Sequence, residues 1–170
     1  MPKSRSARLH RAAPAVAVAA ALAALLAGCS SSGGQGAASN PLPSSSPSIS
    51  AGPGSLTVVA PSIHLVITDA KITSTSNGGA TFSMTVLNSG TATEHLTSVN
   101  GPGGWATLSG TQVSAAGILL PVGTSVGIGG TNEPQIALKQ APTASPGGTE
   151  QVSVLFALAG QVTLQAVVSH

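Results

Sequence analysis

The sequence predicts an all-β domain, a Greek-key β-sandwich, on three observations. From Leu56 onward, short apolar runs alternate with turn residues, and no stretch of helical periodicity is long enough to sustain a helix. Several runs alternate residue by residue, as Phe82, Met84 and Val86 do against Thr81, Ser83 and Thr85, and as Val152, Val154, Phe156 and Leu158 do later; this is the period of a strand buried on one face. The only cysteine, Cys29, leaves no intramolecular disulfide, so the domain must hold by apolar burial, and a chain of this length suffices for a sheet-on-sheet core.

In order, the predicted strands are Leu56–Ala60, Ile63–Ile72, Ala80–Asn88, Glu94–Asn100, Trp105–Leu108, Gly117–Leu120, Ser125–Ile128, Gln135–Lys139, Glu150–Ala159 and Gln161–Val168. Asn77-Gly78 suits the positive φ values of a tight hairpin turn, and Gly160 separates the last two apolar runs. Many short strands at this spacing make a sandwich or a barrel. Their outward positions are mostly Thr, Ser and Gln, so the surface carries few charges.

The first 28 residues read as a lipoprotein signal peptide. Lys3, Arg5, Arg8 and Arg11 precede an apolar run from Ala12 to Leu26, and Leu25-Leu26-Ala27-Gly28-Cys29 has the form of a lipobox. The run, about 15 residues, is shorter than the 20 or so that span a bilayer. Without an Arg-Arg pair the leader fits general secretion. Cys29 is therefore the expected lipidation site, acylated (palmitate among the chains) and made the new N-terminus. The expected location is the extracytoplasmic face of the cell membrane, in the cell envelope.

Removing the leader inverts the charge. Lys71 and Lys139 remain against Asp69, Glu94, Glu133 and Glu150, two cations against four carboxylates, for a net charge of −2. No basic patch is available to neutralise phosphates, and nucleic acid is excluded as a partner. Residues 29–55 are Ser, Gly, Pro and Ala-rich and bury too little apolar surface to offset the entropy of ordering; they are expected to form a flexible linker spanning roughly 25 to 30 Å. Residues 56–170 form the expected β-sandwich domain.

Certain segments resemble the PCu(A)C periplasmic copper chaperone family. Ile67-Thr68-Asp69-Ala70, the run from Ala80 through Asn88-Ser89-Gly90, and Glu94-His95-Leu96 look like its opening, in which a strand ending in Asn-x-Gly precedes an acidic residue and a leucine. Leu120-Pro121-Val122-Gly123, Gly129-Gly130 and the hairpin from Val152 to Val168 resemble its later half. The resemblance implies a cupredoxin-like or immunoglobulin-like sandwich. It also implies a Cu(I) site of a His, a Met about ten residues on, and a His-x-Met beyond the double glycine, soft donors that select Cu(I). This chain departs from that set. Near the first ligand stand Thr107, Leu108 and Ser109; near the second, Ile118, Leu119 and Leu120; and Thr131-Asn132-Glu133-Pro134-Gln135 follows the double glycine.

From Leu96 to Ser169 there is no His, Met or Cys. No metal site is assigned, and His64 and His95 are the remaining candidates, with Met84 expected in the core. Adjacent on a strand, Glu94 and His95 should point to opposite faces. There is no Gly-x-Ser-x-Gly elbow, phosphate-binding Gly-Lys-Ser or readable carboxylate pair, so no catalytic residue and no enzymatic activity is assigned. Trp105 is a candidate partner contact. The reading that results is a lipid-anchored accessory or binding protein with a degenerate metal site and no cofactor, docking an envelope protein partner. The alternatives are an envelope copper chaperone with a noncanonical ligand set and a structural envelope lipoprotein.

Overall fold

The structure, a computed structural model, describes residues 47–169. The leader, Cys29, most of the linker and His170 lie outside the described residues. Within them there are thirteen strands and no helix: β1 (Ser48–Gly52), β2 (Ser55–Ala60), β3 (Ile63–Ser74), β4 (Ala80–Asn88), β5 (Glu94–Gly101), β6 (Gly104–Trp105), β7 (Thr107–Ser109), β8 (Val113–Ser114), β9 (Gly117–Leu120), β10 (Thr124–Ile128), β11 (Gln135–Leu138), β12 (Thr149–Phe156) and β13 (Gly160–Ser169).

They form one mixed sheet folded nearly into a barrel, in the order β7-β11-β4-β3-β13-β12-β5-β9-β8, with β1-β2 and β10 joining on the β3-β4 side and β6 on β5. Every strand pair is antiparallel except β3 with β13. The two walls face each other as a sandwich. The inward residues of each strand, among them Leu65, Ile67, Phe82, Val86, Leu96, Val99, Ile136, Val154, Phe156 and Leu164, meet in one core. Met84 belongs to it at 2% exposure.

Two long strands change partners along their length, and one of them, β3, joins the walls. The N-terminal half of β3 pairs with β2 and its C-terminal end with β13, while β4 gives its first residues to β11 and its last to β10. The change of partner on β3 falls at a β-bulge, where the register with β4 shifts between Thr68 and Lys71 and Asp69 takes φ 56°. Pro53-Gly54, the turn between β1 and β2, fills that junction. Gly54 donates its N–H to Gln165 O (2.7 Å) and accepts from Ala70 N (3.0 Å). Its φ of +68°, with Ala70 O only 3.3 Å from where a Cβ would stand, leaves room for glycine alone.

Four sequence expectations need correction. The domain begins at Ser48, inside the stretch expected to be linker, because β1 pairs with β2 through its backbone and needs no buried side chain; even Ile49 is 49% exposed. The predicted strand Trp105–Leu108 is two strands, since Trp105 pairs with Asn100 on one wall and Thr107 with Ala137 on the other; the chain changes walls at Ala106. The predicted strand Glu150–Ala159 stops at Phe156, for a reason given below. The β3–β4 connection is a five-residue loop, Thr75 to Gly79, in which Gly78 has φ +82° and Asn77 does not have a positive φ.

Candidate functional site

The segments that would carry copper in a PCu(A)C site lie on β7, β9 and the loop before β11. Ser109 and Gln135 are direct cross-strand partners, so the fold does bring the first and third segments together. What they present is a hydroxyl and an amide. Gln135 Nε2 already donates to Gly130 O (2.7 Å) and Glu133 O (3.1 Å), and Gly130 N–H donates to Glu133 Oε2 (2.7 Å). With Gly129 N–H donating to Pro134 O (2.8 Å), the loop after the double glycine is closed on itself. The Glu133 carboxylate occupies the notch left by the missing side chains of Gly127 and Gly130. Of the second segment, Ile118 and Leu120 are fully buried in the core and Leu119 faces outward opposite His95.

Such a donor set does not fit Cu(I). Hydroxyl and amide oxygens are hard ligands, and no sulfur or imidazole stands among these segments. Among the described residues no group of three or more His, Cys, Asp and Glu is placed to hold a metal.

The histidines stand apart. His64 is exposed on β3, opposite Val59, beside a cavity of about 240 Å3 that Ser62 and Gly90 also line. His95 is half-buried on β5 and belongs to the other wall. Its neighbour Glu94 does point the opposite way, into the protein, where it is 1% exposed.

Glu94 is the residue whose role the sequence concealed. Its carboxylate accepts the N–H groups of His95 (2.8 Å), Leu158 (3.0 and 3.1 Å) and Ala159 (2.8 Å). It thus holds the turn between β12 and β13: Ala157 N–H still donates to His95 O (2.9 Å), but the two amides after it bind a side chain instead of a neighbouring strand, and the ladder ends there. A donor 64 residues away leaves no signal in the local pattern. Asn88, also 1% exposed, does the equivalent for the Asn-x-Gly motif. Its Nδ2 donates to Ala92 O and Leu120 O (both 2.9 Å), and its Oδ1 accepts from Gly90 N (3.1 Å). The motif that resembled a chaperone opening is the device that turns the chain from one wall to the other.

Trp105 is 55% exposed on the outer face of the β5-β12-β13 wall. With Asn100, Ser153, Leu155 and Gln161 it lines a cavity of about 250 Å3 that contains no ionisable group. Opposite this wall, on the outside of β3-β4-β10, a second open cavity of about 240 Å3 has Asp69, Lys71 and Glu133 at its rim.

No family model matches the chain. No curated protein matches it either. Solved structures do match. It is similar to the copper-bound PCuAC domain from PmoF2 (TM-score 0.52, 21% identity, 62% of this chain and 92% of that one). The apo PCuAC domain from PmoF1 (TM-score 0.53, 20% identity, 62% and 92%) and the apo PmoF2 PCuAC domain (TM-score 0.51, 20% identity, 66% and 93%) are similar too. The protein has a PCuAC-like, all-β sandwich fold, as the sequence motifs imply. At such identities the likeness defines the fold and leaves the chemistry to this chain's own residues.

Proposed function

We propose that this protein is a lipid-anchored extracytoplasmic accessory or binding protein, built on a copper chaperone-like sandwich whose metal site is degenerate. One observation carries the reading: where the fold pairs β7 with β11, it brings together Ser109 and Gln135 in place of soft ligands, and the Gln135 amide is engaged in closing its own loop. A chaperone must hold Cu(I) against competing thiols, which takes several soft donors on one ion. The leader ending in Leu-Ala-Gly-Cys29 supports attachment at the membrane surface, and the sparse charge of the outer faces supports neutral recognition there. Neither a catalytic group nor a cofactor is part of this proposal.

The test is Cu(I) competition with a chromophoric chelator, on full chain carrying Cys29→Ser and no His-tag. The expected result is that all copper remains with the chelator. Stoichiometric retention by the protein, abolished by His64→Ala or His95→Ala, would instead establish an envelope copper carrier with a noncanonical ligand set.

A further inference from the structure

We infer that the cavity beside Trp105 is a binding site for an uncharged saccharide. Its shape and chemistry agree on that class. Trp105 presents a half-exposed indole, Leu155 is a half-buried apolar floor, and Asn100, Ser153 and Gln161 supply amides and a hydroxyl at the rim. Asn100 and Gln161 each carry both donors and acceptors, as a sugar hydroxyl does, and among the described residues neither side-chain amide has a protein partner. The indole face is electron-rich and takes the C–H face of a pyranose ring. No Lys, Asp, Glu or His lines the cavity, which removes any reason for an ionic ligand to prefer it.

The volume, about 250 Å3, lies just below the range of about 300 to 1,000 Å3 usual for drug-sized ligands, and so matches one ring of a longer glycan laid across the wall. The site is also held in advance. Trp105 is paired in register with Asn100, the hairpin between them is made by Pro102-Gly103, and Ala106 N–H donates to Val99 O (2.9 Å) on β5, extending the same hairpin. Ser153 Oγ is positioned by Thr163 Oγ1 at 3.2 Å. The backbone that carries the indole is fixed in this way before the ligand arrives, so little backbone entropy is lost on binding. None of the five residues belongs to the copper-site segments, so the inference stands whether or not the copper reading does.

Trp105 is the only tryptophan and the chain has no tyrosine, so its fluorescence reports this site alone. The full chain, in a polyoxyethylene detergent with no sugar headgroup, is titrated with chitotetraose, cellotetraose and maltotetraose. At least one should give a saturable blue shift with half-saturation below about 10 mM, a threshold just weaker than the millimolar range of single-site binding. Asn100→Ala and Gln161→Ala should each weaken it about three- to tenfold, the net loss of a hydrogen bond, with unchanged thermal unfolding. Trp105→Ala should abolish ligand-observed saturation-transfer signals that Trp105→Phe partly keeps. Affinity should be unchanged on adding about 0.5 M salt, because no charge is involved. The inference is overturned if no tetrasaccharide gives a saturable shift, if the shift survives both amide substitutions, or if only a peptide of residues 41–47, the chain's own proline-rich segment, produces it.

Discussion

Replacing Glu94 by Ala removes one side chain and strands three amides. The N–H groups of His95, Leu158 and Ala159 all point at its carboxylate at 2.8 to 3.1 Å, and the residue is 1% exposed. A hydrogen bond to a charged acceptor contributes about 1.5 to 3 kcal/mol, and a buried donor left unpaired costs about 1 to 3 kcal/mol. Water reaches part of the vacated turn, so three full penalties overstate the loss; about 3 to 5 kcal/mol is the expected destabilisation. That is a large part of the 5 to 15 kcal/mol typical of a domain. Glu94→Gln keeps the shape and one acceptor oxygen but turns an NH2 toward the donors, and should cost about 2 kcal/mol. Urea unfolding followed by Trp105 fluorescence measures both, and amide hydrogen exchange localises the effect, since Leu158 and Ala159 should lose protection before the strands do. An Ala variant within about 1 kcal/mol of the parent, or unaltered exchange at those two amides, would refute the staple.

Three further outcomes are expected, two from the structure and one from the leader sequence. Gly90→Ala should destabilise by about 2 to 3 kcal/mol in urea unfolding, because its Cβ would stand 2.6 Å from Ser62 O and 2.8 Å from His64 N, backbone atoms that cannot give way. A chain starting at Pro47 should unfold as cooperatively as the full chain, whereas one starting at Leu56 loses β1 and the Gly54 junction and should be weaker by about 1 to 3 kcal/mol, three or so net hydrogen bonds. Cys29→Ser should release the protein from the membrane fraction or leave its leader uncut, since each acyl methylene contributes about 0.8 kcal/mol to anchoring; unchanged fractionation and mass would sink lipidation there.

The long strands were legible because their inward positions are apolar at strict period two, as Phe82, Met84 and Val86 are, and burial on one face writes that pattern directly. β1 was not, because an exposed edge strand is selected by backbone pairing and leaves its side chains free. The bulge at Asp69 and the wall change at Ala106 were hidden for a different reason: each depends on which distant strand supplies the next partner, β13 in one case and β11 in the other. The site shows the same division. That the copper segments lacked soft ligands could be read by inspection, and so could the isolation of Trp105 as the one indole. That Ser153 and Gln161 converge on Trp105 and its hairpin partner Asn100 could not, since they come from the C-terminal β12-β13 hairpin, distant in the chain from β5 and β6.

The place of β13 in the sheet has a kinetic consequence. It lies between β3 and β12, and its last residues form the parallel pairing that joins the two walls, with Thr73 and Ser169 hydroxyls meeting at 2.8 Å across 96 residues of chain. Until that strand is present, β3 has an open edge and neither wall covers the other. Folding must wait for the C-terminal residues, and with contacts this distant it should proceed in the millisecond-to-second range of non-local β topologies. A chain still being synthesised therefore has no closed core, and the order of strands itself delays folding until the final hairpin is present.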